Sequence, residues 1–243
     1  MEETNHQYTA HPVLSLSIPP KDATVFFDNW PHARKLPTPE EIRTRAFDAQ
    51  YKVLNERPTS QRIFYLPDLG LVIKHGKRIT IAEGQVLWAI TEFCPGMRAP
   101  MVYGWCTDGG EVFMYLSYVD GAMLDSRLET LNDEELKDIA GQLAVMLNSL
   151  RRVTQPAQEV FIGTPGRGPV NDQMWWNGNY RRTFSSVKEY NQALFEFARN
   201  VPQSPQQEVF QNVRASFPNK ASICLTHTDL ATEISSSHPP KRR

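Results

Sequence analysis

Apolar and polar positions change period along this chain, and each change marks a change of element. Thr38-Pro39-Glu40-Glu41 carries an N-cap hydroxyl, a proline at the first helical position and a glutamate three residues after the cap. Ile42, Ala46, Ala49 and Val53 follow at helical spacing, so a helix with one buried stripe is expected there. The pattern then becomes strand-like. Arg62-Ile63-Phe64-Tyr65-Leu66 and Gly70-Leu71-Val72-Ile73-Lys74 flank the turn formers Pro67-Asp68 and predict a hairpin. Thr80-Ile81-Ala82-Glu83 reads as a second capping box, opening a helix that carries Val86 and Ile90 and ends near Phe93. Met101 to Trp105 and Glu111 to Val119 predict two further strands joined by Asp108-Gly109-Gly110.

The second half reads as mainly helical. Asn132 with Glu135 starts a long amphipathic helix whose apolar stripe is Leu136, Ile139, Leu143, Met146, Leu147 and Leu150. Phe161 to Asn179 is a loop rich in glycine, proline and tryptophan. Helices are expected at 186–200, opening at Ser186-Val187-Lys188-Glu189, and at 205–216, opening at Ser204-Pro205. Ile223-Cys224-Leu225 predicts a buried strand leading into Thr226-His227-Thr228-Asp229. Ahead of all this, residues 1–37 form a polar, proline-punctuated lead-in whose apolar spot, Val25-Phe26-Phe27, can dock on the body. The expected divisions are therefore 1–37, 38–121, 122–231 and a polar, basic tail at 232–243.

Composition narrows the classes. The 243 residues are 40% hydrophobic and 22% charged, enough apolar material for a globular core. A net charge of −1 provides no global attraction to nucleic acid or an anionic membrane, while leaving room for a local phosphate site. No run approaches the roughly 18 apolar residues of a membrane span. The start is polar and acidic, unlike a secretory signal. Cys94, Cys106 and Cys224 are far apart and form no CxxC pair, so reduced, buried thiols in a cytoplasmic protein are expected.

Three residues carry candidate chemistry. Lys74, at the end of an apolar run, can place its ammonium in a cleft against phosphate oxygens, or can snorkel to the surface. Glu83, nine positions on, can fix that lysine, as the strand-lysine and helix-glutamate pair of kinases does, or can serve as the third residue of its own capping box. Asp229 stands in a His-x-Asp sequence after an apolar run, the form of a kinase catalytic loop, with His227 as a packed loop histidine.

The order of these features is that of kinases, and several segments carry a narrower likeness: Leu69 to Gly76, Pro100 to Trp105, Met114 to Gly121, Phe161-Ile162-Gly163 and Leu225 to Ala231. As a set they resemble the fungal branch of the aminoglycoside-phosphotransferase-like family, over roughly residues 40–231. That resemblance implies an α+β, protein-kinase-like two-lobed fold with a small antiparallel-sheet N-lobe and a helical C-lobe. It also implies ATP with Mg2+ and transfer of the γ-phosphoryl group to a small-molecule hydroxyl. Lys74 would then contact ATP phosphates, Glu83 would orient Lys74, Tyr118 and Val119 would meet the adenine ring, and Asp229 would be the catalytic base.

The pattern departs from the family in two places. No GxGxxG loop precedes Lys74. Five residues beyond Asp229 the loop asparagine is replaced by Ile234, and none of the fourteen residues after Asp229 is an aspartate. An incomplete metal site and an incomplete C-lobe are therefore expected. Since one lost electrostatic contact costs about 10²–10³ in rate, impaired transfer is expected too. Uncovered apolar C-lobe surface near the 132–152 helix would suit a protein partner. The alternatives to an impaired phosphotransferase are a nucleotide-binding pseudokinase and a non-catalytic interaction protein. The acceptor molecule is not legible.

Overall fold

The computed structural model describes residues 19–45, 51–54, 61–156, 158–171, 181–199 and 207–228. The first capping box forms as the sequence requires: Thr38 N donates to Glu41 Oε2 at 2.9 Å and Glu41 N donates to Thr38 Oγ1 at 3.2 Å. It opens α1 (Pro39–Arg45), which buries Ile42 completely. Ala46 and Ala49 lie outside the described residues. Val53 is not helical. It belongs to β2 (Lys52–Val53), pairs antiparallel with the next strand and is exposed, so its helical spacing from Ile42 is a coincidence of period.

The predicted hairpin is β3 (Arg62–Leu66) and β4 (Leu71–Gly76), joined by a 3-10 turn at Pro67–Leu69. β4 continues two residues past Lys74, which therefore sits inside the strand and not at its end. α2 (Ile81–Phe93) follows. Then β5 (Val102–Asp108) and β6 (Glu111–Ser117) turn back on Gly109 and Gly110, whose φ of 58° and 76° supply the left-handed pair that a tight hairpin needs.

The lead-in joins the sheet. β1 (Val25–Phe26) pairs with β5 at Trp105 and Gly104, and a Cβ on Gly104 would stand 2.5 Å from the Val25 carbonyl oxygen, so glycine is what admits the strand. Long-range bonds hold the rest: the Trp105 indole donates to the Asp22 carbonyl at 3.0 Å and the Tyr115 hydroxyl to that of Pro37 at 2.7 Å. The result is one six-stranded antiparallel sheet in the order β1-β5-β6-β4-β3-β2.

Strand alternation gives the sheet two apolar faces. On one, Phe64, Leu66, Leu71, Ile73, Phe113 and Tyr115 pack with Ile42 and Tyr51. On the other, Trp105, Met114 and Leu116 pack beneath Leu87 and Trp88 of α2. The helix comes unusually close, because a Cβ on Gly84 would stand 2.6 Å from Trp105 Cε3.

The remaining elements are helical: α3 (Leu124–Arg127), α4 (Asp133–Arg152), α5 (Val187–Arg199) and α6 (Gln207–Ser216). Asn132 caps α4 with its Oδ1 accepting from Glu134 N and Glu135 N, both at 3.0 Å, while Glu135 Oε2 accepts from Asn132 N at 2.9 Å. The last turns of α4 meet α2 through Leu147, Leu150 and Val153 against Val86, Ile90 and Phe93. The predicted stripe is not uniformly buried: Leu150 is buried, Ile139, Leu143, Met146 and Leu147 are half-buried, and Leu136 is exposed. A further apolar cluster joins Val170 and Phe184 to Ala193, Leu194 and Phe197 of α5.

Two expectations change. Ile223-Cys224-Leu225 is half-buried and makes a single bridge, Cys224 to Thr154, in place of a buried strand. Cys94 and Cys106 are buried, with burial pushing both thiols up, whereas Cys224 is only half-buried. Ser204-Pro205 and the 232–243 tail lie outside the described residues. The architecture is α+β, and among the described residues no helix is long and apolar enough to cross a membrane.

Candidate functional site

Directly opposed residues of neighbouring strands point to the same face of a sheet, so the register places side chains in rows. Lys74 stands opposite Ile63 of β3 and Met114 of β6, and Val72 opposite Tyr65 and Leu116. Successive residues on one face of a strand are about 7 Å apart. α2 covers the β5 and β6 side of this face, burying Trp105, Met114 and Leu116. Toward β3, Ile63, Tyr65, Val72 and Lys74 are half-buried and form a shelf beside the helix.

The Lys74 ammonium bonds the Glu83 carboxylate from the first turn of α2. The two side chains are 26% and 34% exposed, so the pair is reached by solvent yet fixed. This decides between the two roles open to Glu83. Thr80 is the N-cap of α2 but makes no side-chain cap hydrogen bond, so the second capping box does not form. The physical reason is competition: a full positive charge attracts the carboxylate more strongly than the neutral Thr80 N–H does. The close approach at Gly84 is what brings Glu83 over β4. Lys74 retains donor capacity, since an ammonium has three N–H groups and Glu83 is its one partner among the described residues.

Tyr118 follows β6. Its N–H donates to the Gly70 carbonyl at 2.8 Å, and its ring stacks on Tyr65 with centroids 3.9 Å apart and planes 19° from parallel. Val119 beside it is exposed. The structure thus brings Lys74 and Glu83 together and puts Tyr118 at the far end of the Val72 row. Asp229 lies outside the described residues; His227 and Thr228, just before it, are exposed. Tyr65 was not singled out in the sequence. Its signal is the β3 alternation, which sets it opposite Val72 on the face of Lys74. No three His, Cys, Asp or Glu side chains gather into a metal site among the described residues.

On the opposite face, directly behind the shelf, His75 is 4% exposed and stacked between Phe64 (5.4 Å) and Phe113 (4.9 Å). Neither ring nitrogen has a hydrogen-bond partner among the described residues. Burial lowers its pKa, with the Arg62 and Arg43 charges adding to the effect and Glu111 opposing it. It is a neutral core side chain and has no access to the shelf.

A separate open pocket of about 320 Å³ lies at the N-terminus of α2, bounded by Lys21, Thr80, Gln85, Thr164, Gly166 and Arg181 among others.

No family model matches the chain, and no curated protein does. Among solved structures it is similar to WbdD in a co-crystal with the kinase inhibitor LY294002, at 17% identity and a TM-score of 0.29, over 67% of this chain and 41% of that one. It is similar also to a higher-resolution WbdD structure, at 15% identity and a TM-score of 0.31, over 69% and 46% of the two chains. A third, described as the bifunctional kinase-methyltransferase WbdD, matches at 15% identity and a TM-score of 0.29, over 65% and 43%. The chain spans less than half the length of each. The case for the site rests on its own geometry.

Proposed function

We propose that the shelf of β3 and β4 binds a nucleoside triphosphate, and that the chain is a kinase-like, ATP-dependent phosphotransferase of the aminoglycoside-phosphotransferase type with an impaired transfer step. The observation that carries this reading is the Lys74–Glu83 ion pair. A strand lysine that merely reaches for water needs no partner from another element. Here a carboxylate on a separate helix holds the ammonium over the sheet with N–H donors to spare, the arrangement that positions a kinase lysine against α- and β-phosphate oxygens.

The rest of the shelf supports the same ligand. The Tyr65–Tyr118 pair is an aromatic surface beside Val72, and Lys74 lies one row, about 7 Å, further along β4. A base on the aromatic end and phosphates at the cationic end match that polarity. Glu83 would keep Lys74 oriented, and Asp229 would accept the proton of a small-molecule hydroxyl. Ile234, at the position of the loop asparagine, offers no metal-binding atom, and this supports slow transfer.

Thermal unfolding with ATP, with and without Mg2+, tests the binding reading: wild type is stabilised and Lys74→Ala is not. A coupled turnover assay tests the rest, with magnesium-dependent turnover near background. Brisk turnover that disappears in Asp229→Ala would overturn the impairment while keeping the family reading. A second reading, a non-catalytic interaction protein, is favoured by the apolar flank of α4, where Leu136 is exposed and Val145 is 69% exposed. Stabilisation by ATP decides against it.

A further inference from the structure

The cavity beside α2 is lined from four separate parts of the chain, Arg181 among them. α2 contributes Thr80, Ile81, Ala82 and Gln85. The 164–171 loop contributes Thr164, Gly166 and Gly168, and the lead-in contributes Lys21. Each is held in place. Lys21 lies between two pinned carbonyls, that of Pro20, which accepts from Gln85 Nε2 at 2.9 Å, and that of Asp22, which accepts from the Trp105 indole at 3.0 Å. The loop closes on itself through Thr164 N to Gly168 O at 3.0 Å and Gly168 N to Thr164 Oγ1 at 3.1 Å. A Cβ on Gly166 would stand 2.2 Å from Gln85 Oε1, so only glycine lets this loop reach the helix.

Several polar groups at the cavity keep hydrogen-bonding capacity among the described residues. The first-turn carboxylate of α2, Glu83, is turned to Lys74, and Thr80 makes no side-chain cap, so the N–H groups of Ile81 and Ala82 have no acceptor among the described residues. Lys21 forms no ion pair among them. Gln85 and Thr164 are each 7% exposed. The Gln85 carboxamide oxygen accepts no hydrogen bond among the described residues, and the Thr164 hydroxyl, which accepts from Gly168, donates none there. Arg181 also borders the space, reaching Asn171 Oδ1 at 3.4 Å.

We propose that this cavity is a binding site for a small phosphate monoester. Donors converge on it from the helix N-terminus, Lys21 and the buried Thr164 hydroxyl, and a tetrahedral phosphate has oxygens in enough directions to meet them all. The spare Gln85 oxygen then takes a hydroxyl hydrogen, from the organic part of the ester or from the monoprotonated phosphate. About 320 Å³ is ample for a phosphate carrying a few carbons. The inference does not depend on Lys74 holding ATP.

Calorimetric titration of the full chain with inorganic phosphate and with glycerol phosphate, at ionic strength matched by chloride, tests it. Saturable binding of both is expected, weakened at least tenfold by Lys21→Glu, whose side chain is exposed, and by Thr164→Val. Gly141→Ala, on α4 and outside the cavity lining, changes neither affinity more than about twofold, a tenfold loss being about 1.4 kcal/mol. Absence of saturable binding, or indifference to Lys21→Glu, would overturn the site. Binding of phosphate with glycerol phosphate excluded would overturn the ester.

Discussion

Replacing Gly84 by alanine sets two opposing effects against each other. In the body of a helix the change favours folding by about 1 kcal/mol through propensity. At Gly84 the new Cβ would stand 2.6 Å from Trp105 Cε3 and 3.0 Å from Cζ3. The indole cannot slide away: it is fully buried, its N–H is bonded to Asp22 O, and the Phe27 ring meets it edge-on at 5.5 Å. Overpacking of this kind costs about 1–3 kcal/mol, so the strain outweighs the propensity gain and the net loss is on the order of 1 kcal/mol. Gly141, inside α4, has no atom within 4 Å of the position of an added Cβ, so Gly141→Ala shows the propensity gain alone. Urea unfolding of both variants therefore gives opposite signs, separated by about 2 kcal/mol. The strain also lifts Glu83 from Lys74, so nucleotide affinity falls in Gly84→Ala and not in Gly141→Ala. If Gly84→Ala is stabilised as much as Gly141→Ala, the close contact of α2 with the sheet is refuted.

Other changes test separate links. Asn132→Ala removes a complete capping box and lowers stability by about 1 kcal/mol, whereas Thr80→Ala, at a cap with no side-chain bond, stays within about 0.5 kcal/mol in the same urea experiment. His75 is buried without a hydrogen-bond partner among the described residues and its pKa is lowered by burial, so the unfolded chain binds the proton that the folded chain resists. Its contribution is fully retained above the unfolded value of about 6.5 and is lost as pH falls below it. His75→Phe accordingly flattens the fall in urea midpoint between pH 7.5 and 5.5, and an unchanged slope would refute the assignment.

Local signals account for much of what the sequence conveyed. The Asn132 box, the two hairpins and the Lys74–Glu83 pairing depend on residues close in sequence, where period and cap chemistry are read directly. Thr80 shows the limit of that reading: the motif for a capping box is present, but the strand lysine takes its carboxylate. Val53 shows another, since four helically spaced apolar residues do not exclude a strand at the last of them. Tyr65 and Tyr118, the Gly84 contact with Trp105, and the bond from Gln85 to Pro20 each join positions with no common period, so they emerge only from tertiary structure. The resemblance to aminoglycoside phosphotransferases placed Lys74 and Glu83 in roles that their geometry permits, while Asp229 lies outside the described residues.

Thermal unfolding of wild type, Lys74→Ala and Glu83→Gln with and without ATP tests the central claim most directly. An exposed ion pair contributes about 0.2–1 kcal/mol to stability, so the ligand-free proteins unfold within a few degrees of one another. At ATP ten times its Kd, linkage raises wild-type stability by about 1.4 kcal/mol, or roughly 3–6 °C. The account predicts that this rise is lost in Lys74→Ala and reduced in Glu83→Gln; an equal rise in all three, or none in wild type, would contradict it.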